Sequence, residues 1–441
     1  MNGAVAADGF REAACLIPAA LARGGNRRAA VGGASVWPPR SAYLHIPFCH
    51  RRCFYCDFAV VPLGDRAGAE LGAPGSASIA AYLALLHREI AVAPAGPPLS
   101  TVYVGGGTPS LLSAEQVRQL LAALRCRFGL APGAEVSLEL DPASFDQQRL
   151  DAYLAAGVNR VSLGGQSFSD AVLKQLGRRH RCSDLLEAAG WLQQAQRSGR
   201  LGSWSLDLIQ GLPGQTLAGW REQLHQAIAL QPPHLSVYDL IVEPGTVFER
   251  LERRGALALP EPDLAADLME LTAHALVAAG YGHYEISNYA WPGHASRHNR
   301  VYWSGAGWWG FGMGATSAPW GARQARPRTR EGYARWLEQN EQGWERDAET
   351  PALTPTTAMP FDERMIVGLR RREGVLLQAP AGLLQRWQPF VEQGLLVREG
   401  PRWSLKDPEG LALSNAVLRE LLGWWEEEGF GAAAAEPPPS R

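Results

Sequence analysis

Between Ser41 and Leu240, short β-branched or apolar runs alternate with helical stretches, and this alternation limits the possible folds more than any other feature of the chain. The strand candidates are Ala42–Ile46, Thr101–Val104, Val136–Leu140, Arg160–Leu163, Ser205–Ile209 and Leu235–Leu240. Helical patterns over 77–91, 113–128, 147–156, 183–197 and 216–230 separate them. Parallel neighbours need a crossover, so strands spaced by helices imply βαβ units and an α/β fold built on a parallel sheet. Units packed into about 200 residues suit a partial (β/α)6 barrel, since a closed eight-unit barrel needs about 250.

Beyond the barrel, Pro260 and Pro262 mark the start of a helix over 262–279, with Leu264, Leu268, Leu271, Ala275 and Ala278 on one face. The stretch 280–320 is rich in glycine and aromatics, including Trp291, Trp303, Trp308 and Trp309. A Pro/Thr-rich linker lies near 350–360. Helical patterns over 361–371, 379–393 and 414–428, with a hairpin over 395–405 turning at Gly400-Pro401, then suggest a smaller, mostly helical, winged-helix-like domain. The expected organisation is a disordered extension over 1–40, a barrel with an appended aromatic segment over 41–320, the C-terminal domain over 350–430 and a disordered Ala/Pro-rich tail over 431–441. A winged fold alone assigns no role; without a basic recognition helix, a lid or docking surface is the expectation.

The 46% apolar and 20% charged residues are those of a soluble globular chain. A net charge of −2 leaves no broad basic field for nucleic acid or an anionic membrane. Arg370, Arg371 and Arg372 form a local basic run that reads as a solvated helix end. No apolar stretch approaches the roughly 20 residues of a membrane span. The segment Met1–Pro39 lacks a signal-peptide h-region, and Asp8, Glu12 and the scarcity of serine argue against a transit peptide. A cytoplasmic location is expected.

Three of the six cysteines crowd into Cys49-His-Arg-Arg-Cys53-Phe-Tyr-Cys56. The spacing i, i+4, i+7 could be one face of a core helix, but Pro47 and the paired arginines work against that. A zinc site is a second reading, with His50 as a fourth ligand; structural zinc sites usually pair two CxxC-type arms. A loop with three thiolates suits an iron–sulfur cubane better. Each cysteine binds one iron, and the fourth iron stays open to a small molecule. Several polar motifs sit at or beyond strand ends, the edge where open α/β sheets take ligands. Gly105-Gly106-Gly107-Thr108 closes the second strand, where bare backbone can approach a ligand. Glu139 ends the third strand, Gln166 follows the fourth, Arg178 lies in Leu176-Gly-Arg-Arg-His180, and Asp207 lies on the fifth.

The CxxxCxxC spacing, with Tyr55 immediately before the last cysteine, resembles the signature of the radical-SAM superfamily. That resemblance implies a [4Fe–4S] cluster on Cys49, Cys53 and Cys56, whose open iron is chelated by S-adenosylmethionine. One electron then yields a 5′-deoxyadenosyl radical. With the supporting motifs, the stretch from Ser41 to about Ala318 resembles oxygen-independent coproporphyrinogen III oxidase (HemN-like) and the related HemW-type heme chaperones. The resemblance implies that Tyr43, Gly106, Gly107, Thr108, Glu139, Gln166, Arg178 and Asp207 contact S-adenosylmethionine, over two bound molecules in the oxidase, and it places Tyr55 in the cofactor-binding set.

Two stretches separate the branches. The oxidase pattern continues to a fourth cysteine, CxxxCxxCxC; here that position is Phe58, as in the chaperones. His298-Asn-Arg-Val-Tyr302-Trp303 resembles the chaperones' HNxxYW signature, and makes His298 a candidate axial ligand of heme, with His283, His294 and Met313 as rivals. Heme chaperone is therefore the favoured reading. Heme or a related tetrapyrrole, an electron donor and client hemoproteins, membrane-bound ones among them, are the implied partners, and no nucleic acid. The alternative is an enzyme, a coproporphyrinogen dehydrogenase-type oxidoreductase that converts two propionates to vinyl groups with loss of CO2.

Overall fold

The computed structural model describes residues 38–319, 323–349 and 361–428, together with Met359. The terminal extensions and the 350–360 linker fall almost wholly outside these residues.

The barrel is laid down in the order β1 (Ser41–Ile46), α1 (Ser76–Val92), β2 (Leu99–Gly106), α2 (Ala114–Arg127), β3 (Leu130–Leu140), α3 (Gln147–Ala156), β4 (Arg160–Gln166), α4 (Cys182–Arg197), β5 (Ser203–Gln210), α5 (Leu217–Ala229) and β6 (His234–Asp239). Local chemistry starts and stops these helices. Ser113 and Gln116 form a reciprocal capping box on α2, the side chains of Asp146 and Thr216 cap α3 and α5, and Gly157 ends α3 in the left-handed region.

All six strands pair in parallel, with Tyr43 opposite Tyr103, Tyr103 opposite Ser137, Glu139 opposite Ser162 and Ser205 opposite His234. Residue parity then decides which side faces what. Leu44, Val102, Val104, Val136, Leu138, Val161, Leu163, Leu206, Leu235 and Val237 are buried apolar residues in the main core. Their alternates are polar: Tyr43, Thr101 and Tyr103, Glu135, Ser137 and Glu139, Arg160 and Ser162, Ser205 and Asp207, His234 and Ser236. A parallel sheet covered on both faces normally has continuous apolar runs. Here one face is apolar and the other forms a polar interior.

The α/β class and the parallel sheet agree with the pattern in the sequence, but the sheet is wider than six strands. After α6 (Pro262–Ala278) come β7 (Gly282–Glu285), β8 (Asn288–Ala290), α7 (Arg297–Ser304) and β9 (Trp309–Phe311). The nine-stranded order is β9-β1-β2-β3-β4-β5-β6-β8-β7, with β9 parallel to β1 and β8 antiparallel to both β6 and β7. These added strands are too short, and too rich in glycine and aromatics, to show period-two patterning. The edge strands differ, so the sheet is an open partial barrel.

A buried ion pair fastens the added segment. Glu89 on α1 and Arg326 pair at 2.8 Å, and both are almost fully buried. Glu89 also accepts from the Tyr333 hydroxyl at 2.6 Å and the Gly312 N–H at 2.7 Å. Residues 361–428 have a core of their own around Trp387, Trp403, Trp424 and Trp425, formed by helices Phe361–Leu369, Ala381–Glu392 and Ser414–Glu427 and a three-stranded antiparallel sheet. They meet the barrel at β7: His283 Nδ1 lies 2.6 Å from Asp407 Oδ1, and the Ile286 N–H donates to the Arg370 carbonyl at 3.0 Å. Among the described residues no helix is long and apolar enough to cross a membrane.

Candidate cofactor cavity at the carboxyl edge of the sheet

The loop after β1 carries the cysteines. His45 anchors its far end, with Nε2 2.9 Å from the Ala59 carbonyl and Nδ1 3.0 Å from the Tyr43 hydroxyl. Backbone bonds from the Phe54 N–H to Leu176 and from the Phe248 N–H to Phe54 tie down its middle. The loop closes one side of a cavity of about 370 Å³. Cys49, Cys53, Tyr55 and Cys56 line it from the loop; Gly106, Gly107, Thr108, Glu139, Gln166, Arg178 and Asp207 line it from the strand ends. Residues scattered over more than 150 positions of sequence thus share one concavity.

Each wall has a physical reason for its residues. Gly106 sits at φ +117°, and a Cβ there would meet the His45 ring at 2.6 Å. A Cβ on Gly107 would meet the Phe48 carbonyl at 2.7 Å and Cys49 Sγ at 2.9 Å. Thr108 Oγ1 donates to Cys49 Sγ at 3.6 Å, and Arg178 Nη1 to Cys53 Sγ at 3.7 Å. The Arg178 guanidinium also donates to Asp141 at 2.6 Å and to the Gly164 carbonyl at 2.9 Å. Burial works against the Asp141 carboxylate, but Arg178 and His180 outweigh it and hold the group well below the usual carboxylate range. Gln166 is a non-glycine residue at φ +62°, the strained kind of backbone that gathers at functional sites.

Two inward carboxylates stand opposite the cysteines. Burial pushes Glu139 up to about 7, against the Gly106 N–H that donates to it at 2.9 Å, and nearby Asp207 adds to the rise. Burial also raises Asp207, which accepts from Ser162 at 2.6 Å and Ser205 at 2.8 Å. Both suit a ligand that brings hydroxyl or ammonium donors.

Among the described residues no three His, Cys, Asp or Glu side chains converge on one metal-ion position. In a cubane each thiolate binds a different iron. Burial pushes the Cys49 thiol up to about 12 and raises Cys56 too, so these sulfurs need cations beside them to become thiolates. The donor set therefore fits a [4Fe–4S] group.

Two expected residues lie outside the cavity. Tyr43 stands behind Tyr103, stacked at 6.1 Å, and Tyr103 is the ring that lines the wall. His298, the expected axial ligand, is the second. It is fully buried, with Nδ1 2.8 Å from Thr101 Oγ1 and Nε2 2.8 Å from the Tyr302 hydroxyl. Both ring nitrogens are engaged, and burial lowers its pKa to about 3, so the ring is a neutral packing piece stacked on Tyr103 at 5.2 Å. Its HNxxYW helix, α7, packs low in the barrel, where Glu135 accepts from the His298 N–H at 2.9 Å. The other expected candidates also lie outside the cavity lining. His283 is clamped between Asp407 and Tyr289, His294 bonds Ser203, and Met313 is core. Tyr103, Asp141 and Ser162 line the cavity without having been singled out from sequence. Parity was the available signal for Tyr103 and Ser162, which fall on the polar faces of their strands, while Asp141 lies one residue beyond the end of β3.

The match to known proteins follows the same residues. The model of the "Radical SAM superfamily" matches residues 43–227. The chain is 41% identical to "Heme chaperone HemW" of Synechocystis over 88% of this chain and 98% of that one. It is 41% identical to "Heme chaperone HemW" of Escherichia coli over 63% and 70%. Among solved structures, coproporphyrinogen III oxidase (HemN) of Escherichia coli, described as a radical SAM enzyme, aligns at a TM-score of 0.67 and 24% identity over 87% of this chain and 90% of that one, which establishes a shared fold. With its sheet, its cavity and 41% identity to a HemW heme chaperone over 98% of that relative, the chain belongs to the HemW heme chaperone family of the radical-SAM superfamily.

Proposed function

We propose that this chain binds heme and passes it to client hemoproteins, respiratory enzymes among them. In this reading a [4Fe–4S] cluster and S-adenosylmethionine have a supporting role. The end-to-end similarity to heme chaperones carries the reading. The convergence of the cysteines, the glycine loop and the two carboxylates on one cavity supports the cofactor part of it. Cys49, Cys53 and Cys56 would hold the cluster, which when bound and reduced supplies an electron to a sulfonium. The bare backbone of Gly106 and Gly107 lets a ligand lie close beside Cys49. Glu139 and Asp207 would accept hydrogen bonds from ribose hydroxyls or an amine. Arg178, tied to Asp141, holds a positive charge 3.7 Å from Cys53 Sγ.

The test is a paired assay on anaerobically reconstituted protein. Hemin retained through gel filtration and passed to an apo-hemoprotein, with no protoporphyrinogen formed from coproporphyrinogen III, S-adenosylmethionine and a strong reductant, is the expected result. Clear protoporphyrinogen would replace this reading with the oxidase.

A further inference from the structure

The sequence pointed to His298 for the heme iron, but His298 lies outside the cavity and protein groups engage both of its ring nitrogens. Among the residues lining the cavity there is one histidine, His50. Its Nδ1 lies 3.1 Å from the Gly64 carbonyl. A carbonyl can only accept, so Nδ1 carries the proton and Nε2 holds a free lone pair. This is the usual preparation of a metal-binding imidazole, one nitrogen fixed to a backbone carbonyl and the other offered. By contrast, His45, His234 and His298 have both nitrogens engaged by protein groups.

The mouth of the same cavity is unusually apolar for exposed surface. Phe58, Tyr238 and Ile241 all line it, yet they are 53%, 42% and 65% exposed. Large apolar side chains left in water and gathered at one opening mark a ligand surface. Phe58 stands where the oxidase pattern has its fourth cysteine. Three guanidiniums line the cavity nearby. Arg51 and Arg179 share the single carboxylate of Asp65 at 3.1 and 3.5 Å, and Arg52 donates to the Phe58 carbonyl at 2.8 Å. Arg179 Nη1 is buried without a hydrogen-bond partner. An apolar face beside surplus positive charge and an open imidazole nitrogen complements a flat ring that carries carboxylates and a central iron.

Building on the heme reading above, we propose that heme lies across the cavity mouth. Its ring rests on Phe58, Tyr238 and Ile241, its propionates face Arg51, Arg52 and Arg179, and His50 Nε2 is an axial ligand of its iron. Heme seated there covers the cofactor cavity rather than occupying a separate pocket.

Two probes separate the parts of the proposal on the full, cluster-loaded chain: hemin, and metal-free protoporphyrin IX, which has the ring and carboxylates but no iron. Phe58→Asp and Ile241→Asp weaken both probes by about tenfold or more, while Leu376→Asp, an exposed apolar site on the C-terminal sheet, changes neither. His50→Ala weakens hemin but not protoporphyrin IX and shifts the Soret band, and added imidazole restores the band position. Iron–sulfur absorbance and circular dichroism verify each fold, and Phe58→Ser and Ile241→Ser serve if the acidic variants misfold. Wild-type binding of neither probe removes the heme reading and this proposal together. Wild-type hemin binding that the mouth variants leave intact overturns the platform while heme binding stands. An unchanged Soret band and hemin affinity in His50→Ala overturn the ligand assignment.

Discussion

Gly107 shows how little room the cavity wall leaves. Its missing Cβ is replaced by the Phe48 carbonyl and the Cys49 sulfur, both closer than any Cβ tolerates. Gly107→Ala is expected to displace Cys49 and cut iron and sulfide bound per chain at least severalfold, with the barrel still folded; full loading measured by iron analysis would refute the close-approach argument. Glu139 gives a pH signature. Its carboxyl is held near 7 by burial, so the acceptor form dominates only above that value. Affinity for S-adenosylmethionine, measured by equilibrium dialysis, is expected to rise between pH 6 and 8 in the wild type and to stay flat in Glu139→Gln. The cavity residues were legible because motif residues at strand ends must meet at one edge of a parallel sheet. His298 was not, because sequence shows a histidine beside aromatics without showing which partners take its nitrogens. His298→Gln is accordingly expected to retain hemin and to lose about 1–3 kcal/mol of stability in urea titration, the cost of disturbing two buried hydrogen bonds.

At the scale of elements, the six core strands and their helices were readable since each has a strong period and a clear breaker. The segment that completes the sheet was not. Its strand β9 is three residues long and is held by partners far away in sequence: Ala42 beside Trp309, and Glu89 on α1 beside Arg326 and Tyr333. A glutamate on the apolar face of the last turn of α1, beside Leu86 and Ile90, was the visible sign that this helix meets something polar. Removing one partner leaves the other charge buried alone, which costs about 3–5 kcal/mol. Glu89→Ala is expected to lower unfolding free energy by that order in denaturant titration, and Glu89→Gln, which keeps an acceptor for Tyr333, by less.

Across the whole molecule, β7 joins the barrel to the C-terminal residues. Glu285 lies on it with Arg371 bridged alongside, and burial pushes its carboxyl up to about 7. Because the folded protein holds that proton more tightly than the unfolded chain, the group costs nothing below about pH 4.5 and most above 7. Glu285→Gln is expected to match the wild type at pH 4.5 and to exceed it by on the order of 1–3 kcal/mol at pH 8; equal stability at both values would show that the seam does not bury the charge. The late arrival of β9 also has a consequence for biosynthesis. Strand β1 leaves the ribosome early, but its outer neighbour is Trp309–Phe311, more than 260 residues later. At roughly 5–20 residues per second, the nascent chain carries an unpaired β1 edge for tens of seconds. During translation that edge is an open template for stray strand pairing until Trp309–Phe311 arrives to cover it.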